Sequence, residues 1–225
     1  TKAYDRENYL EYAEAYKTSF WENKPDQLEN WLHIANDSNR MVHIEVPLVM
    51  KGGISIRQYA AKKNAPDFVH LTSNGIPVIP GSSFAGAIRH RVKQILLDLA
   101  EEGTESPVKK NEVEQIISRM FGNASDKEGH ASNIIISEAR ILDARPLTMV
   151  RTGISRFESA VRDGALYKER TYVDGHFNLE IAVRKGKEAK DSNWMIGILL
   201  LAVRDLENGY LAVGGQTAVG RGIFA

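Results

Sequence analysis

The chain has 225 residues, enough to bury a sizeable core in one elaborated domain or in a domain with an extension. Its 29 basic and 29 acidic residues cancel at pH 7, which excludes a protein held to nucleic acid by bulk charge; any such binding needs a local basic face. The absence of cysteine excludes disulfides and thiolate metal sites and fits a reducing, cytoplasmic setting.

No apolar run approaches the roughly 20 residues that span a bilayer, so no membrane partner is expected. The N-terminus lacks a basic and apolar secretory leader, and its opening on Thr1 is that expected of a processed or trimmed chain or of part of a longer polypeptide. Residues 1 to about 36 carry Tyr9, Tyr12, Tyr16, Phe20 and Trp21 at near-helical spacing. Pro25 interrupts the pattern before Trp31 and Leu32 resume it. Two short helices are expected there, forming an extension over residues 1–38 that docks on the main domain or on a neighbouring subunit.

From Val42 to Met50 apolar residues alternate with His43, Glu45 and Pro47, the pattern of a strand with one buried face. A loop follows in which Arg57, Lys62 and Lys63 precede the first acid, Asp67, so it could track a phosphate backbone or simply be solvated. Next comes Val78-Ile79-Pro80-Gly81-Ser82-Ser83-Phe84, a strand end, a turn and a serine pair able to cap a helix. Phe84, Ile88, Val92, Ile95 and Leu99 give that helix a core-facing stripe, and Ser82, Gly86, Arg89 and Lys93 give it a second, small and then basic. Unpaired N–H groups, serine hydroxyls and guanidinium groups together suit an anion such as phosphate.

A second helical pattern runs from Val108 to Phe121, and a polar connector holding His130 leads to Asn133–Leu142, a β-branched run expected as a buried or central strand. Residues 145–170 are net basic through Arg145, Arg151, Arg156, Arg162, Lys168 and Arg170, against Glu158, Asp163 and Glu169. With Gly153 and Gly164 as punctuation, they read as an arm or hairpin insertion. Phe177 to Val183 alternates as another half-buried strand. Ser192 or Asn193 should cap a last helix that Gly209 stops. The order of strand, helix, strand, strand, helix, strand predicts an α+β domain over 39–225, a ferredoxin-like or RRM-like antiparallel sheet with helices on one face.

The closing run Gly214-Gly215-Gln216-Thr217-Ala218-Val219-Gly220-Arg221-Gly222 matches neither a P-loop nor a dinucleotide fingerprint, because no helix follows it. Its glycines would let backbone amides approach phosphate or a partner chain, or form a turn before a last strand. The six histidines are scattered without metal-site spacing, so no metal or other cofactor is expected. A GxSxG elbow is also missing. His70 and His130, both in loops, are the histidines able to serve as a general base toward an RNA 2′-hydroxyl.

Four segments in order resemble the RAMP superfamily, the RNA-binding proteins of CRISPR effector complexes: Ile79-Pro80-Gly81-Ser82-Ser83 with Arg89; Phe121-Gly122; Arg151-Thr152-Gly153-Ile154-Ser155-Arg156 with Asp163-Gly164-Ala165-Leu166-Tyr167; and the closing glycine run. Where the family commonly carries a lysine in the first motif, this chain has Ala85. The resemblance, which extends over about residues 41 to 225, looks closest to backbone subunits of type III complexes acting in antiviral defence. It implies an RRM-like palm with a thumb over about 145–170. It also implies that guide RNA is held through Ser82, Ser83 and Arg89, the thumb residues Arg151, Arg156 and Arg162, and the groove from Gly215 through Gly220 to Arg221. Target RNA and neighbouring RAMP subunits are the further partners it implies. Some members cut target RNA with an aspartate in the loop after the first strand. Here Gly52 to Ala61 contains no acid, and only the later Asp67 could serve. The expectation is an RNA-holding subunit without cleavage; the alternatives are a metal-independent endoribonuclease processing guide RNA and a structural assembly module.

Overall fold

The computed structural model of the chain describes residues 40–59, 65–101, 108–124, 129–185 and 190–225. The helical extension expected over 1–38, the loop lysines Lys62 and Lys63, and the helix stop at Glu102-Gly103 lie outside the described residues. In chain order the strands are β1 (Met41–Val49), β2 (Gly53–Ile54), β3 (Arg57–Tyr59), β4 (Phe68–His70), β5 (Thr72–Ser73), β6 (Ile76–Ile79), β7 (Ile134–Ile136), β8 (Ala139–Arg140), β9 (Arg145–Arg151), β10 (Tyr167–Val173) and β11 (His176–Arg184). The helices are α1 (Gly81–Glu101), α2 (Val113–Phe121) and α3 (Lys190–Glu207).

The two alternating stretches pair with each other. β1 runs antiparallel to β11 over nine residues, from Met41 opposite Arg184 to Val49 opposite His176. β7 adds to the far edge of β11, with Ile135 opposite Ala182. On the outer side of β1 the C-terminus returns: Val49 and Ala225 exchange backbone hydrogen bonds of 2.8 and 3.0 Å, and Met50 bridges Phe224. The spatial order is therefore fourth, first, third, second, that of a ferredoxin-like sheet. Period two sends Leu48, Phe177, Leu179, Ile181 and Val183 inward, where they share one core with Phe84, Ile88, Val92 and Leu96 of α1 and Leu199, Ala202 and Leu206 of α3. At its centre Phe177 stacks edge-on to Phe224 at 5.1 Å, and Phe84 lies 5.7 Å from Phe177.

The run expected as one buried or central strand divides in two. β7 is an edge strand of three residues with Ile135 44% exposed, after which the chain bends so that β8 pairs with β6. A β-branched run signals strand but not which neighbours it finds. The serines after Pro80 also differ from expectation. The helix begins at Gly81, so Ser82 and Ser83 lie in its first turn, and the Ser83 N–H donates to the Pro80 carbonyl at 2.9 Å. Gly81 is required for close approach rather than for turning: a Cβ there would stand 2.0 Å from the Ile136 carbonyl oxygen. In α3, Ser192 sits inside the helix, which starts at Lys190.

The basic insertion is a hairpin. β9 and β10 pair antiparallel from Arg145 opposite Val173 to Arg151 opposite Tyr167, and residues 152–166 form its tip, with Ile154 bridging Val161. The other edge of β10 takes β2 antiparallel and β4 parallel, and β3 extends that sheet. The root of the arm is thus the centre of a second sheet, which places Glu169 and Thr171 on a buried face.

Candidate nucleic-acid interface

The glycine run closes over that buried face. Val213 N–H donates to the Gly222 carbonyl at 2.9 Å, Gly222 N–H to Gly53 at 2.9 Å and Gly215 N–H to Ser55 at 2.7 Å, tying the run to the strand pair after β1. A Cβ on Gly222 would lie 1.9 Å from the Val213 carbonyl oxygen, so only glycine fits. Gln216 occupies the left-handed region at φ 61°, which costs a side chain on the order of 1 kcal/mol. It is held there because its amide donates to Glu169 Oε2 at 2.8 Å.

Glu169, 1% exposed, is the hub. Arg221, itself 5% exposed, donates from Nη2 to Oε1 at 2.8 Å. Arg151 brings Nε to 2.5 Å from the same oxygen, but off the N–H axis, so that contact is an ion pair without an aligned hydrogen bond. Arg57 Nη2 lies 3.8 Å from Oε2. Burial pushes the Glu169 carboxyl up, but the Gln216 hydrogen bond and the charges of Arg221 and Arg151 outweigh it and hold the group below the usual carboxylate range. One carboxylate faces three guanidinium groups, leaving a local excess of two positive charges in a chain of zero net charge.

The residues expected to bind RNA are thus partly gathered. Arg151 and Arg221 meet at Glu169, and Gly215 precedes Gln216, which bonds to the same carboxylate. The amides of Gly215 and Gly220 are spent internally, Gly220 N–H donating to Thr217 at 3.0 Å, so these two glycines shape the loop rather than present donors. Arg156 and Arg162 are exposed at the hairpin tip, beside Phe157 at 99% exposure and Ile154 and Val161 above 60%. Ser82 and Arg89 are exposed on the first turns of α1. Lys93 pairs with Glu114 of α2, and no hydrogen bond or ion pair among the described residues joins α1 to the Glu169 cluster. The open face of the β1–β11 pair presents His43, Glu45, Pro47, His176, Asn178 and Glu180; its rings are the imidazoles of His43 and His176, with no Phe, Tyr or Trp among these residues.

The candidate catalytic residues have other duties. His70, 1% exposed, accepts the Ile56 N–H on Nδ1 at 3.0 Å and therefore carries its proton on Nε2, which donates to the Val78 carbonyl at 3.0 Å. Burial lowers its pKa to about 4 despite that second bond, so the ring is a neutral strut between β4, β6 and the Ser55–Ile56 turn. Asp67 accepts the Lys168 N–H at 2.7 Å, fastening the loop to the arm. His130 is exposed at 3.2 Å from the Ser118 hydroxyl. Among the described residues no group of three or more histidines and carboxylates could hold a metal ion, and no described helix is long and apolar enough to cross a membrane.

Glu169 escaped the sequence reading because it counted only as an acid within a basic arm; its signal was its place on one face of β10 with Thr171. Arg57 reads as a loop cation and Gln216 as part of the closing run, but neither is linked to Glu169 in the sequence.

A ferredoxin-like sheet bearing a basic hairpin, with a glycine run closed over the hairpin's root, defines an α+β scaffold whose guanidinium groups gather around one buried carboxylate. A sequence profile of the RAMP superfamily matches residues 45–225, and the chain belongs to that superfamily. No curated protein matches it. Among solved structures it is similar to a chain of a structure titled "Type III-B Cmr-beta Cryo-EM structure of the Apo state", with a TM-score of 0.55 and 13% identity over 80% of this chain and 95% of that one.

Proposed function

We propose that this protein is an RNA-binding subunit of a type III CRISPR ribonucleoprotein that holds the backbone of guide RNA and lies beside further RAMP subunits in the cytoplasm. One observation carries the reading: the glycine run and the root of the basic arm meet at Glu169, where guanidinium groups outnumber carboxylates three to one. Superfamily membership and the likeness of fold to a chain of a Cmr complex support it. Contacts to phosphate position an RNA without reading its bases, as a subunit that accepts any guide requires. The arm's apolar tip, with Phe157, is available to wedge against a nucleic-acid duplex or a neighbouring subunit. Cleavage has less support, since His70 is consumed internally and Asp67 is bonded to the arm.

The test is single-stranded RNA binding across a salt series. A log–log slope of several units is expected, and Arg89→Glu and Arg156→Glu should each weaken binding. Salt-independent binding, or none in the assembled particle, would overturn the reading. RNase treatment of that particle should release the subunit; survival at full strength would favour a purely structural module.

A further inference from the structure

The Glu169 cluster has more donors than aligned hydrogen bonds. Each Glu169 oxygen already accepts a well-formed hydrogen bond, Oε2 from Gln216 and Oε1 from Arg221. Arg57 and Arg151 approach Glu169 without an aligned hydrogen bond, and neither has an ion pair with any other described carboxylate. Arg221, though almost wholly buried, leaves Nη1 without a partner. Arg57 and Arg151 are also the two whose side chains remain accessible, at 38% and 31% exposure. The Arg57 guanidinium lies over the Phe68 ring, 4.7 Å from its centroid, which occupies one face of the guanidinium and leaves the N–H edge for in-plane bonds. Two partly exposed guanidinium groups on opposite oxygens of one carboxylate, with surplus charge, suit an anion with several acceptor oxygens.

We propose that Arg57 and Arg151 form a two-pronged phosphate site, seated on Glu169, that takes one phosphodiester of the bound nucleic acid. The nucleic-acid part of this assignment rests on the proposed function; the phosphate chemistry does not. Arg57 opens β3 and Arg151 ends β9 of the arm, so a phosphate between them would fasten the arm to the far strand of its own sheet. Glu169 acts as a positioning residue: it fixes both prongs and offsets their mutual repulsion without touching the ligand.

The experiment compares the wild-type chain with Arg57→Gln and with Arg57→Gln/Arg151→Gln, each checked for folding by circular dichroism. Inorganic phosphate is titrated first, with melting temperature as the readout. The general stabilisation by phosphate is common to all three proteins and cancels in the comparison. A saturable rise is expected in wild type only, and superimposable curves would overturn the site. Single-stranded RNA is titrated second: Arg57→Gln should bind about tenfold more weakly at low salt, with the salt slope reduced by about 1. If Arg57→Gln binds RNA as wild type does while Arg89→Glu and Arg156→Glu bind weakly, the two-pronged site is wrong and the RNA-binding reading stands. If phosphate separates the variants but no protein binds RNA, the anion site stands and the RNA-binding reading falls.

Discussion

Replacing Glu169 by alanine removes the only carboxylate among the described residues that pairs with Arg221, while leaving that guanidinium in place. Because Glu169 and Arg221 are 1% and 5% exposed, the loss strands a buried charge, which costs about 3–5 kcal/mol. Arg57 and Arg151 are partly solvated and add little to this. In a domain of this size each kcal/mol moves the melting temperature by about 2–4 °C, so Glu169→Ala should melt roughly 6–20 °C lower in a thermal scan at pH 7. The pH dependence gives a second reading. The folded carboxyl lies below its ordinary 4.5, so its contribution is present above the unfolded value and is lost as pH falls through the folded one. Wild type and Glu169→Gln should therefore differ most at neutral pH and converge in acid. A drop below about 2 °C for Glu169→Ala, the size of an ordinary surface substitution, would refute the reasoning, as would a gap that widens in acid.

His70 should stay neutral in the folded protein down to about pH 4, while an unfolded histidine charges near 6.5; stability therefore falls as pH drops between those values, by about 3 kcal/mol in full. An NMR titration showing the His70 ring protonated at pH 6 would contradict this. Gly222→Ala should leave no folded protein at 37 °C, since its Cβ would meet a backbone carbonyl at 1.9 Å; Gly86→Ala, in a helix with open space around it, should stabilise by up to about 1 kcal/mol in urea. Phe84→Ala, at the centre of the aromatic trio, should cost about 3–5 kcal/mol by the same measurement.

The strands β1 and β11 and the helix α1 were legible in the chain because their information is local: period two and period 3.6 state which residues face a core before the core exists. The basic arm was legible as a hairpin for a similar reason, its charges and glycines lying close together in sequence. Other assignments depended on contacts between distant segments. Gly81 is glycine because the Ile136 carbonyl, 55 residues later, passes against it, and Asn133–Leu142 divides because its halves find different partners. The same holds for the candidate site. Arg57, Arg151, Glu169 and Arg221 are scattered over more than 160 positions, and an exposed arginine and a buried one are identical letters. Only packing the closing glycine run over β10 desolvated Glu169, and desolvation is what turns four ordinary charges into one cluster.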